Sequence, residues 1–419
     1  MSDEARSNRT ATEVPALAGG EKAKQTPYGS WERYGEEEIA ELREAIEQQT
    51  LFYARGRKVK QLEEEIAARV GAAYAIACSS CTAAIHAAMI ALGVSPGDEV
   101  IVPPITDMGT VAGILFQGAV PVFADLTPNG YTLDPDSVEA CVTGKTRAVI
   151  AVHLGGAACD LPRLKAICER HGIFLVEDCA QAWDCRFQGK PVGTTGQVSC
   201  YSYNEFKHIS CGDGGLVVTD DGDLARRLRL ATDKGYDRGV SNAARHPLFL
   251  CNNYRMTELQ GAVALAQLRK LDWIVERRRA WCETINKGLA GVEGLALPEI
   301  LPDCDPSWWF YLMRVVPNAL NASADRFVEV LQAEGINCGA HYIGQPVYRW
   351  PIFAEHSAFS ATWHPYETRD YSEERCPVAE EILETCVLLS VNEAYTERDA
   401  DEVVLGIRRA AAWLRAQPA

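Results

Sequence analysis

No run in this 419-residue chain approaches the ~20 consecutive apolar residues that a membrane-spanning helix requires. Basic charge is also short: 41 Lys and Arg stand against 57 Asp and Glu, a formal net charge of −16. Nucleic-acid phosphates and anionic lipid surfaces both attract basic patches, so neither is an expected partner. Small molecules and further copies of the chain suit that balance better. The opening Met1-Ser2-Asp3-Glu4-Ala5-Arg6 is polar and lacks the apolar core of an export signal, which points to the cytoplasm. There the fifteen cysteines are expected as free thiols, not as a disulfide framework. Cys168, Cys200 and Cys386 agree, each lying in an apolar strand- or helix-like context. Cys78-Ser79-Ser80-Cys81 has metal-knuckle spacing without a matching second pair, so no metal is expected.

The length predicts two domains, and 47% hydrophobic content is ample for a large core. Residues 1–27 mix Ser, Thr, Glu, Lys, Gly and Pro without periodicity and read as a disordered tail. A large domain with a helical opening is expected over 28–272, then a linker helix and small domain over 273–419. Helical spacing recurs at Ile39, Leu42 and Ile46, and again at Leu62, Ile66 and Val70, where Gly71 stops it. Tyr74–Cys78, Val120–Asp125 and Ala148–His153 read as short strands, with helices such as Leu161–His171 between them. That alternation predicts a mostly parallel α/β sheet with helices on both faces. His153 ends its strand and reads as a structural histidine. Asp233–Phe249 is a long polar loop, the kind that is functional or partner-bound.

The stretch from Ile173 to Thr219 carries the chemistry. Ile173-Phe174-Leu175-Val176 runs into Glu177-Asp178-Cys179-Ala180-Gln181, and a second strand-like run ends at Ser202-Tyr203-Asn204 before Glu205-Phe206-Lys207-His208. Gly212-Asp213-Gly214-Gly215 follows, where glycine permits close backbone approach. Ligands of open α/β sheets sit outside the carboxyl ends of strands, so Asp178 and Lys207 would face one crevice. A buried carboxylate holds a cationic heterocycle protonated, and a lysine of lowered pKa attacks a carbonyl. Together these are the requirements of pyridoxal phosphate (PLP), which needs a Schiff-base lysine and an acid on its ring nitrogen. Ser80-Cys81-Thr82 opens a helix after a strand, an arrangement that offers N–H groups to a phosphate or simply caps the helix.

In order and spacing these motifs resemble the DegT/DnrJ/StrS family of PLP-dependent aminotransferases, from about Gly35 to about Ala411. The resemblance implies fold type I: a large domain with a mostly parallel seven-stranded sheet, and a smaller α+β C-terminal domain. It makes Lys207 the catalytic lysine and Asp178 the partner of the ring nitrogen. Gln181 would bond the ring hydroxyl, and Ser202 would hold the phosphate with the Cys81 and Thr82 amides beside Ser80. Cys251-Asn252-Asn253-Tyr254-Arg255-Met256 matches a segment whose asparagine, here Asn253, reaches the phosphate of the neighbouring subunit, implying a homodimer with shared sites. The donor implied is glutamate or glutamine, and the acceptor a ketocyclitol or nucleotide-linked keto-sugar.

Three positions depart from the family: Cys81 replaces glycine, Asp107 replaces a ring-stacking aromatic, and Gly155 replaces a frequent tyrosine. Asp107 is expected either to meet a polar group of the substrate or to cap a helix. Cys338-Gly339-Ala340-His341-Tyr342 resembles the strand leading to the substrate mouth, making His341 and Tyr342 substrate-binding candidates. The aromatic stretch Gly344–Tyr371 reads as packing. Val391-Asn392-Glu393 looks more like the cyclitol and aminoglycoside-type enzymes. Two rival readings are a sugar dehydratase, which would carry histidine at the Schiff-base position, and a PLP-binding regulatory protein without turnover.

Overall fold

The computed structural model describes residues 14–240, 246–359 and 369–417. Its main sheet has seven strands: β1 (Tyr74–Cys78), β2 (Glu99–Val102), β3 (Val120–Phe123), β4 (Thr146–Val152), β5 (Phe174–Asp178), β6 (Val198–Ser202) and β7 (Gly215–Thr219). They lie side by side in the order β1-β7-β6-β5-β4-β2-β3. β7 runs antiparallel to both neighbours, and the remaining adjacent pairs are parallel. The architecture is the expected α/β, fold type I arrangement.

Side chains alternate across this sheet with the period of two that a pleated strand imposes. Val102, Ile150 and Val176 pack on one face with Ile85 and Met89 of helix Cys81–Ala91. Ile101, Val149 and Leu175 pack on the other with Leu62, Leu164 and Ile167. The parallel strands deliver their last residues, Val102, Val152, Asp178 and Ser202, to one edge. Because β7 is reversed, it brings its first residue, Gly215, to that same edge, opposite both Cys78 and Ser202.

A four-stranded antiparallel sheet forms the smaller unit, ordered Leu295–Ala296, Phe310–Val315, Cys386–Ser390, Cys338–Ala340. The linker helix expected from residue 273 is the second half of a longer one: Glu258–Leu289 runs unbroken for 32 residues from a Thr257/Gln260 capping box. Its first half packs Leu265, Leu268 and Leu271 into the large core, and its second half packs Trp281 and Ile285 into the small one.

The expected disordered tail needs correcting from Val14 onward; residues 1–13 lie outside the described residues. Lys24 is buried and pairs with Asp399 at 2.7 Å and Glu402 at 2.9 Å, while the Ala23 N–H donates to Glu334 Oε2 at 2.6 Å. Composition missed this because the segment is held by ion pairs to distant helices, without any periodic face of its own. The aromatic stretch does pack: Tyr348, Phe353 and Tyr371 surround Phe123 with ring centroids 5.5, 5.6 and 6.0 Å away. Its Trp363, His364 and Tyr366 lie outside the described residues. All fifteen cysteines are unpaired. No described helix is long and apolar enough to cross a membrane.

Candidate active site

The strand ends enclose a cleft of about 200 Å³. Eight of the predicted site residues line it: Ser80, Cys81, Thr82, Asp107, Asp178, Gln181, Ser202 and Lys207. Asp178 closes β5 and is 3% exposed. Its Oδ2 accepts from the Thr110 hydroxyl at 2.8 Å and its Oδ1 from the Ala180 N–H at 3.0 Å. Burial pushes the carboxyl above the usual range, while the Ala180 N–H, the Thr110 hydroxyl and the Lys207 charge pull it back. Burial acts oppositely on Lys207, lowering its amine against the pull of Asp178, Cys81 and Asp107. A neutral amine is the nucleophilic form, so the cleft favours the reactive state of its lysine.

At the other end, helix Cys81–Ala91 points its N-terminus into the cleft. Ser80 caps it, the side chain accepting from Ala83 N–H at 3.1 Å. The N–H groups of Cys81 and Thr82 belong to the first turn, which has no intrahelical acceptors. A Cβ on Gly215 would sit 2.2 Å from the Ser80 carbonyl and 2.6 Å from Cys81 N, so only glycine lets β7 approach this turn. Cys81 is helical and outside the left-handed region, so replacing the family's glycine there imposes no backbone strain. Ser202 is buried beside the same turn, its Oγ accepting from Asn204 N–H at 3.2 Å.

Gln181 Oε1 accepts from Gly155 N–H at 2.8 Å, which turns its amide nitrogen toward the Tyr342 hydroxyl at 3.5 Å. Gly155 has φ 65°, and a Cβ there would meet Phe310 Cε2 at 2.8 Å. Phe310 thus leaves no room for a side chain at Gly155. Asp107 is the N-cap of helix Met108–Phe116, accepting from Gly109 N–H at 2.7 Å, and lines the cleft mouth as well.

Three candidates lie outside the cleft lining. Asn253 is exposed, its Oδ1 accepting from Arg255 N–H at 3.3 Å. His341 turns away to the Leu383 carbonyl at 2.8 Å and Asp325 at 3.0 Å, because φ of 64° at His341 and 43° at Tyr342 rotates that strand end. Tyr342 stands behind the lining, where its hydroxyl meets the Gln181 amide at 3.5 Å. His153 is structural as expected: fully buried, it bonds Glu177 at 3.0 Å and accepts from Cys159 N–H at 3.1 Å. Sequence reasoning missed Thr106 and Thr110, whose hydroxyls bond at 2.7 Å and support Asp178. The available signal was a pair of hydroxyls four positions apart just beyond a strand.

Residues 32–408 match the DegT/DnrJ/EryC1/StrS aminotransferase family. The chain belongs to that family. Among similar proteins, the spore coat polysaccharide biosynthesis protein SpsC of Bacillus subtilis is 32% identical over 383 residues, covering 89% of this chain and 94% of SpsC. The aminotransferase from Psychrobacter cryohalolentis superposes with a TM-score of 0.82 at 27% identity, covering 91% of this chain and 98% of that one. S. venezuelae DesV superposes with a TM-score of 0.80 at 31% identity, covering 92% and 99%. This is a PLP-dependent aminotransferase family, and its members carry PLP or its amine form.

The cleft fits that cofactor. A helix N-terminus and Ser202 supply anion donors at one end, a buried acid stands at the other, and Lys207 lies between. Gly215 lets β7 pack directly against the backbone of the turn that carries those donors.

Proposed function

We propose that this aminotransferase moves an amino group from L-glutamate or L-glutamine to the ketone of a ketocyclitol or keto-sugar, in aminosugar or aminocyclitol biosynthesis in the cytoplasm. The observation that carries this reading is the shared cleft of Asp178 and Lys207, one acid with its pKa raised and one amine with its pKa lowered by burial. PLP, when bound, supplies the electron sink that lets an amino acid lose its α-proton. The chain supplies the rest. Lys207 would hold the cofactor through its side-chain amine, and the same amine would take up the donor's α-proton and deliver it to the cofactor's carbon. Asp178 stands where the ring nitrogen must stay cationic, and Gln181 where the ring hydroxyl needs a partner. The Cys81 and Thr82 amides and the Ser202 hydroxyl hold the phosphate. Exposed Asn253 is available to a second copy's phosphate, which supports a homodimer as the working unit.

Charge around the cleft supports a neutral or cationic acceptor: Asp107, Asp178 and Asp213 line it, beside a Lys207 amine whose pKa burial lowers. Asp107 keeps a free carboxylate oxygen toward the mouth, suited to a hydroxyl or amine of a polyol. The dehydratase reading is disfavoured by position: Lys207 lines the cleft, whereas His208 is buried behind it, bonded to the Ser307 carbonyl at 2.9 Å. A keto-sugar acceptor keeps one specific support, the polysaccharide role in the name of SpsC. An amino-transfer assay with both donors against ketocyclitols and nucleotide keto-sugars tests the proposal. Amination of a member of the panel with loss of the donor's amine is the expected result. A dehydrated product, or cofactor binding with no turnover of any donor, would overturn it.

A further inference from the structure

The turn that carries Lys207 has no regular structure, so its carbonyl groups must find partners outside any ladder. Three in succession are held by side chains from remote parts of the chain. Arg33 donates to the Glu205 carbonyl and, at 2.9 Å, to the Lys207 carbonyl. Between them, the Phe206 carbonyl accepts from the Trp309 indole N–H at 2.7 Å. The Trp309 ring lies under the lysine amine, 4.0 Å from Nζ to the ring centroid.

These two anchors meet at a single acid. Glu393 is fully buried in the turn after strand Cys386–Ser390. Its Oε2 receives the Arg278 guanidinium twice, at 2.9 and 2.6 Å, and its Oε1 lies 3.6 Å from Arg33 and 3.0 Å from Trp31 Nε1. Arg278 in turn donates to the Trp308 and Trp309 carbonyls at 3.2 Å each. One carboxylate therefore fixes two guanidiniums, one gripping the backbone of Lys207 and the other the backbone of the tryptophan beneath its amine.

We infer that Glu393, through Arg33, Arg278 and Trp309, is a positioning residue that holds the Lys207 amine on the indole face. Within the Val391-Asn392-Glu393 stretch noted in the sequence, Glu393 thus serves the catalytic lysine. The inference builds on the role proposed for Lys207, but concerns its free amine. It can therefore be tested without cofactor.

The groups facing that amine are Asp178, Cys81 and Asp107, with Asp213 on the cleft wall and His208 behind the turn. All remain in place in the variants. The measurement is the pH profile of reductive methylation of Lys207 in the full chain stripped of PLP, read by peptide mass mapping. In Trp309→Leu the ammonium loses the ring's attraction while staying enclosed, so its midpoint falls by about 0.5–1.5 pH units. Trp309→Phe keeps an aromatic face and stays near the unaltered midpoint. In Glu393→Gln the turn loosens into solvent, so the midpoint rises toward the ordinary lysine value of about 10.4. Glu393→Asp restores most of that change. Glu334→Gln, which removes the acid of another fully buried ion pair with Arg409, leaves the Lys207 midpoint unmoved even where it lowers thermal stability. In the loaded enzyme Glu393→Gln lowers kcat about tenfold with donor KM within about twofold, the pattern of lost positioning and not lost binding. An unchanged midpoint in either Trp309→Leu or Glu393→Gln would overturn the inference, as would an equal shift in Glu334→Gln. Failure of transfer with every acceptor would count against the proposed function alone, since the methylation profiles do not depend on it.

Discussion

Gly215→Ala places one methyl group where the structure has no room for it. The added Cβ would lie 2.2 Å from both the carbon and oxygen of the Ser80 carbonyl and 2.6 Å from Cys81 N, against ordinary contacts of 3.4–4 Å. All three are backbone atoms, so no side chain can swing aside, and the turn must retreat by more than 1 Å. Overpacking of this kind costs about 1–3 kcal/mol. The retreat also displaces the Cys81 and Thr82 N–H groups assigned to the phosphate. A positional error of about 1 Å in such a cradle weakens binding by tenfold to a hundredfold, about 1.4–2.7 kcal/mol. Titrating PLP into stripped protein and following the visible absorbance of the lysine-bound form gives the affinity directly. Gly339→Ala is the control: nothing lies within 4 Å of its added Cβ, and it should bind PLP normally. Gly215→Ala that binds PLP within twofold of the unaltered chain would refute this account of the anion end.

Asp178→Asn should separate stability from function. Its folded pKa is raised, so the ionised acid destabilises the cofactor-free protein at neutral pH, by about 1.4 kcal/mol for each unit of elevation. The variant should unfold at higher denaturant near pH 7, lose that advantage as acid protonates Asp178 in the unaltered chain, and transfer amino groups roughly a hundredfold more slowly. Glu177→Gln should behave oppositely. Burial raises that carboxyl, but His153 and the Gly196 and Gly193 N–H groups hold it below the ordinary range. Its stabilisation is present above pH about 4.3 and lost as pH falls further, and the amide should cost roughly 2–4 kcal/mol at pH 7. Denaturant midpoints from pH 3 to 8 check both, and equal slopes for the two variants would contradict the assignment.

The main sheet was legible because each strand is a short apolar run with turn residues at its ends, and burial on both faces leaves few other uses for such runs. Asp178 and Lys207 were legible because motif order fixes which strand ends they occupy. What escaped depends on contacts between distant parts of the chain. Nothing local marks Lys24 as the partner of Asp399 and Glu402, or Trp309 as the ring against the Lys207 amine. The same limit explains His341. The strand was placed correctly, but two left-handed residues at its end redirect the side chain, and neither is the glycine that would have flagged the turn. The sequence leaves Asp107 either capping or substrate-facing, and the structure shows that one carboxylate caps while lining the cleft.

Glu177 and Asp178 show how little separates a structural acid from a functional one. They are adjacent, equally enclosed, and end the same strand, so burial penalises both charges alike. The pleat sends them to opposite faces. On one face Glu177 receives three backbone N–H groups, from Gly193, Thr195 and Gly196 at 2.7–2.8 Å, together with His153. Those four donors overcome desolvation and hold it ionised, so its charge fastens the loop to the sheet. On the other face Asp178 receives one N–H and one hydroxyl, too little to offset the same penalty. Its unmet demand for a cation is the property a protonated ring nitrogen would satisfy. A one-residue shift in the register of β5 would exchange the two environments. The bulge-free pairing of Ala151 with Glu177 and of Val152 with Asp178 is therefore as much a condition of the chemistry as the carboxylate itself.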